Sequence, residues 1–272
     1  MGYQNTFGHR QKIIFASLNG PTLGPYTLAF VAVVVSRGGI VKPTEIGYLN
    51  TFETSMGSEL AKFDRLWIHG LFSPIAAKTS FVNPSSTAIT AVNSPTFTVN
   101  RGFTGDAVSA YIDTNYNPST SAVKYTQNSA SAFVYSRTSD QSPRSDFGSV
   151  GLTPLSLIQM YIRANSDVII GDINANGSTF GVNSNGTGFY SLVRTGSNSS
   201  SIYKNGLLLS SGTKASVLPP YNLYLFCINV AGTGADFGNR QISVSGTSDG
   251  TVNQANFYHY IQVLGTSIGW AI

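Results

Sequence analysis

Apolar residues along this chain fall mostly in short runs bounded by Gly, Pro, Asn and Ser. Runs of that kind predict strands separated by turns. Ile13-Ile14-Phe15-Ala16 and Tyr26 to Val35 read as two strands, split by Asn19-Gly20-Pro21 and Gly24-Pro25 and ended by Arg37-Gly38-Gly39. Residues 1–42 are thus expected to form an N-terminal β arm. A lone hairpin is marginal in water. The arm therefore extends the same sandwich or completes a neighbouring subunit by strand addition. Ile13, Phe15, Leu28, Phe30 and Val33 are its candidate anchoring and oligomer contacts.

The period then changes. After Pro43-Thr44-Glu45, the residues Ile46, Leu49, Phe52, Met56 and Leu60 recur at helical spacing, predicting a helix over 44–60. Phe63 to Gly70 returns to strand, Ser73-Pro74 breaks it, and 81–101 is rich in turns. From Gly102 the strands become regular: Ala110 to Asp113, Ala132 to Tyr135, Leu157 to Ile162 and Val168 to Ile170. Asn176-Gly177, Asn185-Gly186 and Asn205-Gly206 follow, and Asn-Gly suits the positive φ angles of a type I′ hairpin. Asn205-Gly206 is the best placed, between Ser201-Ile202-Tyr203-Lys204 and Leu207-Leu208-Leu209. Leu223 to Val230 and Arg240 to Val244 are further strands. A second helix over 251–265 closes the chain, with Thr251 and Gln254 as a capping box and Phe257, Ile261, Leu264 and Ile268 on one face. The expected fold class is all-β, a sandwich over residues 43–272 carrying two short helices and the N-terminal arm.

Composition supports this. Of 272 residues only 10% are charged, against roughly 25% in an ordinary soluble domain. Solubility falls to Ser, Thr, Asn and Gly, which suit sheets and turns better than helix surfaces. The net charge of +4 is scattered. Its densest cluster, His9-Arg10-Gln11-Lys12, is too small for a nucleic-acid footprint. Cys227, the only cysteine, lies in an apolar run and reads as a small buried hydrophobe, with no internal disulfide. The opening Met1-Gly2-Tyr3-Gln4-Asn5 lacks a signal-peptide core. The longest clean apolar run, Leu28 to Val35, is far short of the about 20 residues a membrane helix needs. Synthesis in a cytoplasm without membrane insertion is the expectation.

Several stretches resemble concanavalin A-like (laminin-G-like) jelly rolls. Phe103-Thr104-Gly105-Asp106 before Ala110-Tyr111-Ile112-Asp113 is similar to their opening turn and strand, and Gly188-Phe189-Tyr190-Ser191-Leu192-Val193 to an aromatic-plus-Val strand. Ser201 to Leu209 resembles their Tyr-x-Asn-Gly hairpin, and Leu223 to Ile228 their penultimate strand. Arg240-Gln241-Ile242 departs from the pattern, which often has Asp-Glu there. The likeness runs from about Gly102 to the C-terminus. Asp64-Arg65-Leu66-Trp67 and Ala91 to Phe97, placed ahead of it, extend the likeness to proteins of tailed-phage virions, especially phages of gut bacteria. That resemblance implies a non-enzymatic structural protein on a virion surface, as capsid decoration or as a head-fibre or tail component. Its partners would be other virion proteins and copies of itself.

Catalytic chemistry finds little support. Glycosidases of this fold need two carboxyl groups across the scissile bond. Every Glu (Glu45, Glu53, Glu59) precedes Gly102. Asp113, Asp140, Asp146, Asp167 and Asp172 sit mostly beside turn residues and are expected to cap turns. His9, His69 and His259 lack a nucleophile elbow or triad context, with His69 read as a hydrogen-bonded histidine on a strand and His259 on a helix flank. No phosphate loop or Cys/His cluster exists, so neither cofactor nor metal is expected. The alternative to a structural role is a carbohydrate-binding adhesin of the fibre or tail. Its sugar would stack on tyrosines in loops: Tyr116 with Asn117 and Tyr125 with Asn128 are the candidates, Tyr135 to Arg137 and Tyr221-Asn222 the weaker ones.

Overall fold

The computed structural model describes residues 22–270. Two sheets face each other. Sheet one runs in spatial order Leu207–Thr213 (β14), Ser199–Lys204 (β13), Gly188–Arg194 (β12), Ala130–Ser136 (β7), Gln241–Ser248 (β18), Phe63–Ile68 (β1) and Ser80–Val82 (β2). Gly102–Thr104 (β5) joins β18, and Thr96–Thr98 (β4) joins β5. Sheet two runs Thr179–Val182 (β11), Val168–Ala175 (β10), Leu155–Tyr161 (β9), Phe147–Leu152 (β8), Tyr224–Leu225 (β15), Tyr111–Asp113 (β6) and Thr90–Val92 (β3). Ile228–Val230 (β16) and Thr233–Ala235 (β17) complete it. The described ladders are antiparallel except for β8 with β16. The all-β sandwich is therefore the observed architecture.

A third layer covers sheet one. Helices Pro25–Ser36 (α1), Pro43–Met56 (α2), the one-turn Pro74–Lys78 (α3) and Gln254–Ile268 (α4) belong to it, with a 3₁₀ segment at Gly57–Lys62; a second 3₁₀ turn, Asn165–Asp167, lies between β9 and β10. Strand alternation divides the buried residues of sheet one between two cores. Phe133 and Tyr135 of β7 join Phe30, Leu49, Phe52, Phe81 and Ile261 in the helix-side core. Ala132 and Val134 join Trp67, Ile112, Phe147, Ile158, Met160 and Ile169 in the core between the sheets. Phe257 of α4 sits at the centre of the helix-side core, its ring 4.9 Å from Phe63, 5.0 Å from Phe133 and 5.2 Å from Phe189. Burying each such ring contributes about 1.5–3 kcal/mol, which holds the helix layer on the sheet.

The expected strand at Tyr26 to Val35 is instead α1. A short apolar run carries no periodicity that separates a strand from a buried helix. What selects the helix lies far along the chain: both carboxylate oxygens of Glu53 accept from its first turn, from Tyr26 N at 3.0 Å and Thr27 N at 2.7 Å. These bonds satisfy N–H groups that a helix start leaves open. Of the expected anchoring residues, Phe30 is fully buried, 5.6 Å from the Phe81 ring, so it serves this chain's own core. Val33 is half-buried, and Leu28 is exposed. Ile13 and Phe15, with the expected strand at 13–16, lie outside the described residues.

Smaller differences follow the same logic. The helix α2 forms where its apolar spacing places it. The closing helix α4 takes Asn253 as its cap, whose side chain accepts from Asn256 N at 3.0 Å. Thr251 is tied to Asp249, and Gln254 accepts from Ser191 Oγ at 2.6 Å, so the expected Thr251–Gln254 box does not form. The expected strand Leu223 to Val230 is split at Phe226, whose φ is +68°. There the chain turns from antiparallel to parallel pairing with β8. The Asn205-Gly206 hairpin forms as expected, with φ of 51° and 78°. Gly206 also lies against the first turn of α4, where a Cβ would come within 2.6 Å of Ala255 Cα.

Candidate functional site

A polar cleft of about 180 Å³ opens where β12 begins, beside the β13–β14 hairpin and one flank of α4. Gly188 forms part of its wall with φ +123°, and a Cβ there would lie 2.5 Å from Asn205 Oδ1. Asn205 is fixed by a two-way bridge to Phe189: its backbone N donates to Phe189 O at 2.7 Å, and its Oδ1 accepts from Phe189 N at 2.9 Å. With Oδ1 engaged, the donor end of the amide remains for a ligand. Across the cleft stands Tyr258 of α4, half-buried, its ring 6.4 Å from Phe189. Gln262 Nε2 donates to the Tyr258 hydroxyl at 2.7 Å, and Gln262 Oε1 accepts from Tyr135 Oη at 3.2 Å. These bonds hold the Tyr258 ring in one orientation.

Asn185, Thr187 and Lys204 complete the lining. Asn185 Oδ1 accepts from the backbone N and the hydroxyl of Thr187, each at 2.9 Å. Lys204 Nζ donates to Asn183 Oδ1 and to Asn185 O, each at 2.6 Å. Burial of this ammonium, with repulsion from Arg163 second, holds its pKa below the usual lysine value. The lining has amide, hydroxyl and ammonium groups around two tyrosine rings, Tyr135 and Tyr258, and no carboxylate. A second cavity of about 120 Å³ lies between α2 and α4, lined by Tyr48, Phe52, Tyr260, Val263 and Leu264 among others. It is mainly apolar, and two of its hydroxyls, those of Thr51 and Ser267, already donate to the helix carbonyls of Gly47 and Val263.

No family model matches the sequence, and no curated protein matches it. Among solved structures, the chain is similar to the binding domain of botulinum neurotoxin serotype D, at 12% identity over 64% of this chain and 46% of that one, with a TM-score of 0.45. It thus spans just under half of that binding-domain chain. It is also similar to domain 4 of AbnA, a GH43 extracellular arabinanase from Geobacillus stearothermophilus, in complex with arabinotriose (12% identity, 74% of this chain and 98% of that one, TM-score 0.43). A third is the CBM40 of the Ruminococcus gnavus IT-sialidase (14%, 45% and 76%, TM-score 0.36). At these values the likeness is partial in each case.

The tyrosines expected to stack on sugar lie inside the protein. Tyr116 and Tyr125 are buried, with rings 6.4 Å apart. Asp64 explains this. Its carboxylate accepts from Val123 N, Lys124 N, Tyr125 N and the Tyr116 hydroxyl, at 2.9–3.1 Å. A register shift between Phe63 and Arg65 frees it from the β1–β18 ladder, as a bulge does when it re-aims a side chain. Asn117 ties its loop to Pro220 O, and the exposed Asn128 accepts from Ser216 Oγ. Neither meets the cleft. Of the weaker candidates only Tyr135 reaches it.

Most of the other titratable groups singled out by sequence have structural partners, while Asp140 is exposed and His9 lies outside the described residues. Asp146 is not a turn cap: it is buried, 2.6 Å from Arg240 Nε and accepting from Ile162 N at 2.6 Å. Arg240 thus carries the charge where the resemblance has Asp-Glu. Asp172 is also buried, accepting from Gln159 and Ser178, and desolvation pushes its pKa up to about 6. Asp113 does cap a turn, accepting from Asn115 N. Fully buried His69 contacts Ala77 O at 2.8 Å through Nδ1 and Ser245 Oγ at 2.7 Å through Nε2. A carbonyl only accepts, so Nδ1 carries the proton and Nε2 accepts from the serine. His259 is exposed on α4. Cys227 is buried, as its apolar run predicts.

Apart from Tyr135, the cleft residues escaped the sequence reading. Asn205 was legible as a turn residue, but Tyr258 and Gln262 offered only a polar i, i+4 pair on a helix flank.

Proposed function

We propose that this protein binds carbohydrate in the cleft around Gly188 and does not transform it. One observation carries the reading: a fixed half-buried ring, Tyr258, and the side chains of Asn205, Asn185, Thr187 and Lys204 converge on one polar cavity of about 180 Å³. A sugar has apolar C–H faces and a rim of hydroxyls, so it needs both an aromatic surface and oriented donors and acceptors. The volume is below the roughly 300–1,000 Å³ of drug-sized pockets, which favours one or two sugar rings. Two-carboxylate glycoside hydrolysis has no residues to run on in a lining without Asp or Glu. Titration calorimetry with a panel of oligosaccharides tests this, using wild type and Tyr258→Ala. At least one glycan should bind wild type and lose tenfold or more in the variant, with thermal stability retained. Equal binding by both proteins would remove the cleft from the account.

A second reading, a structural component on a phage virion surface assembling with itself or other virion proteins, is favoured by a different observation. Phe180 and Val182 of β11 and Leu207 and Leu208 of β14 are 57–74% exposed. Their strands meet at the sandwich edge, where Ser210 Oγ donates to Phe180 O. Neither strand holds a charge or a proline. Natural edges are usually blunted by such residues, and a bare apolar edge invites a partner. Mass spectrometry of purified phage particles tests it: recovery of the protein in many copies supports a structural role, and its absence discards that role. Both readings are compatible in a surface adhesin.

A further inference from the structure

The charge inside the cleft narrows the ligand class, an inference that rests on the binding reading above. Lys204 is the one charged residue of the lining. Its two hydrogen-bond partners, Asn183 Oδ1 and Asn185 O, are both neutral, and no ion pair among the described residues includes it. The ammonium has three hydrogens, and two are engaged. Its ammonium stands 5.4 Å from the Tyr190 ring, an uncharged partner, and the charge that perturbs it, Arg163, is also positive. Arg163 is itself neutralised by Asp167 at 2.8 Å, so Lys204 keeps a charge that nothing in the lining balances. A cation withdrawn from water without a counter-charge is costly to the free protein. A ligand carrying an anion would relieve that cost on binding.

We propose that the cleft selects a carboxylate-bearing sugar, of the uronic or sialic acid class, over its neutral counterpart, with Lys204 supplying the counter-charge. Tyr258 and the amide groups serve either kind of sugar, so they set affinity, and Lys204 sets the preference. A hydrogen bond to a charged group contributes about 1.5–3 kcal/mol, which corresponds to roughly ten- to a hundredfold in affinity. Because the group is only partly buried, the preference should weaken as salt rises.

Calorimetry on the full chain with paired probes is the test: 3′-sialyllactose against lactose, and tri-galacturonate against galactotriose. Wild type should bind at least one acidic member tenfold or more tightly than its neutral partner. Lys204→Gln should bring the acidic sugar to the neutral level, and Lys204→Arg should keep the preference. Should Lys204→Gln misfold, wild type between low and high salt gives the same reading, because only the acidic sugar should lose affinity. Equal affinity for acidic and neutral members would overturn the selectivity while leaving carbohydrate binding intact. Binding of no probe by wild type would defeat both.

Discussion

Acidification to pH 4 should destabilise this protein through its buried histidine, His69. Burial holds its imidazole neutral and lowers its pKa from the usual 6.5 to about 4. The unfolded chain takes up a proton below about 6.5, but the folded chain resists until about 4. Between those values the unfolded state binds more protons, so stability falls as pH falls. The gap corresponds to about 3 kcal/mol, fully present above pH 6.5 and lost by about pH 4. Asp172 works in the other direction. Its raised pKa of about 6 means that the folded state keeps a proton the unfolded state has released, so its contribution falls as pH rises from about 4 to 6. Buried Asp146, which desolvation likewise raises to about 6, adds to Asp172, and the pair partly offsets His69 in wild type. Subtracting the pH profile of His69→Gln from that of wild type removes every group the two proteins share. With m near 1–3 kcal/mol/M, the difference in urea midpoint should change by about 1–3 M between pH 7.5 and pH 4. Wild type should lose its advantage on the acid side. Parallel profiles for the two proteins would refute the assignment of a neutral buried imidazole.

Asp64→Ala should leave three backbone N–H groups and the Tyr116 hydroxyl without their acceptor. A loss of about 3–5 kcal/mol in urea unfolding is expected, with faster proteolysis within residues 114–129. Gly188→Ala should push Asn205 from its bridge to Phe189, since the new Cβ would lie 2.5 Å from Oδ1. At φ +123° it also strains the backbone, so a stability loss of about 1–3 kcal/mol should accompany weaker glycan binding by calorimetry. Asn253→Ala should cost about 1 kcal/mol in thermal or urea unfolding through loss of the α4 cap.

Local signals were legible in the sequence wherever local forces decide the structure. Asn205-Gly206 announced its hairpin because the turn's φ angles depend on those two residues. Helix α2 announced itself because one face, Ile46 to Met56, repeats at helical spacing. Two failures share a cause. Tyr26 to Val35 became a helix under carboxylate bonds from Glu53, and Tyr116 and Tyr125 became core residues through Asp64. In both, an acid dozens of residues away supplies the acceptors that settle where the segment goes. No window of sequence contains both partners. The cleft was hidden for the same reason, since Lys204 and Tyr258 meet only after α4 docks on sheet one.

That docking also limits where a ligand can sit. In a bare sandwich each sheet has an outer face open to solvent. Here the helix layer buries the outer face of sheet one, and Phe133, Tyr135 and Phe189, which would have been surface aromatics, become core. Any binding on that side is displaced to the margin of the helix layer. At that margin Tyr135 and Tyr258 turn from packing residues into cleft residues, and the start of β12 and the root of the Asn205-Gly206 hairpin come within reach. The margin is also where α4 holds the hairpin through Gly206, so the parts of the cleft are positioned by the same contacts that fix the helix layer. Loosening α4 should therefore weaken glycan binding before it unfolds the sandwich, because the core between the sheets contains no residue of α4.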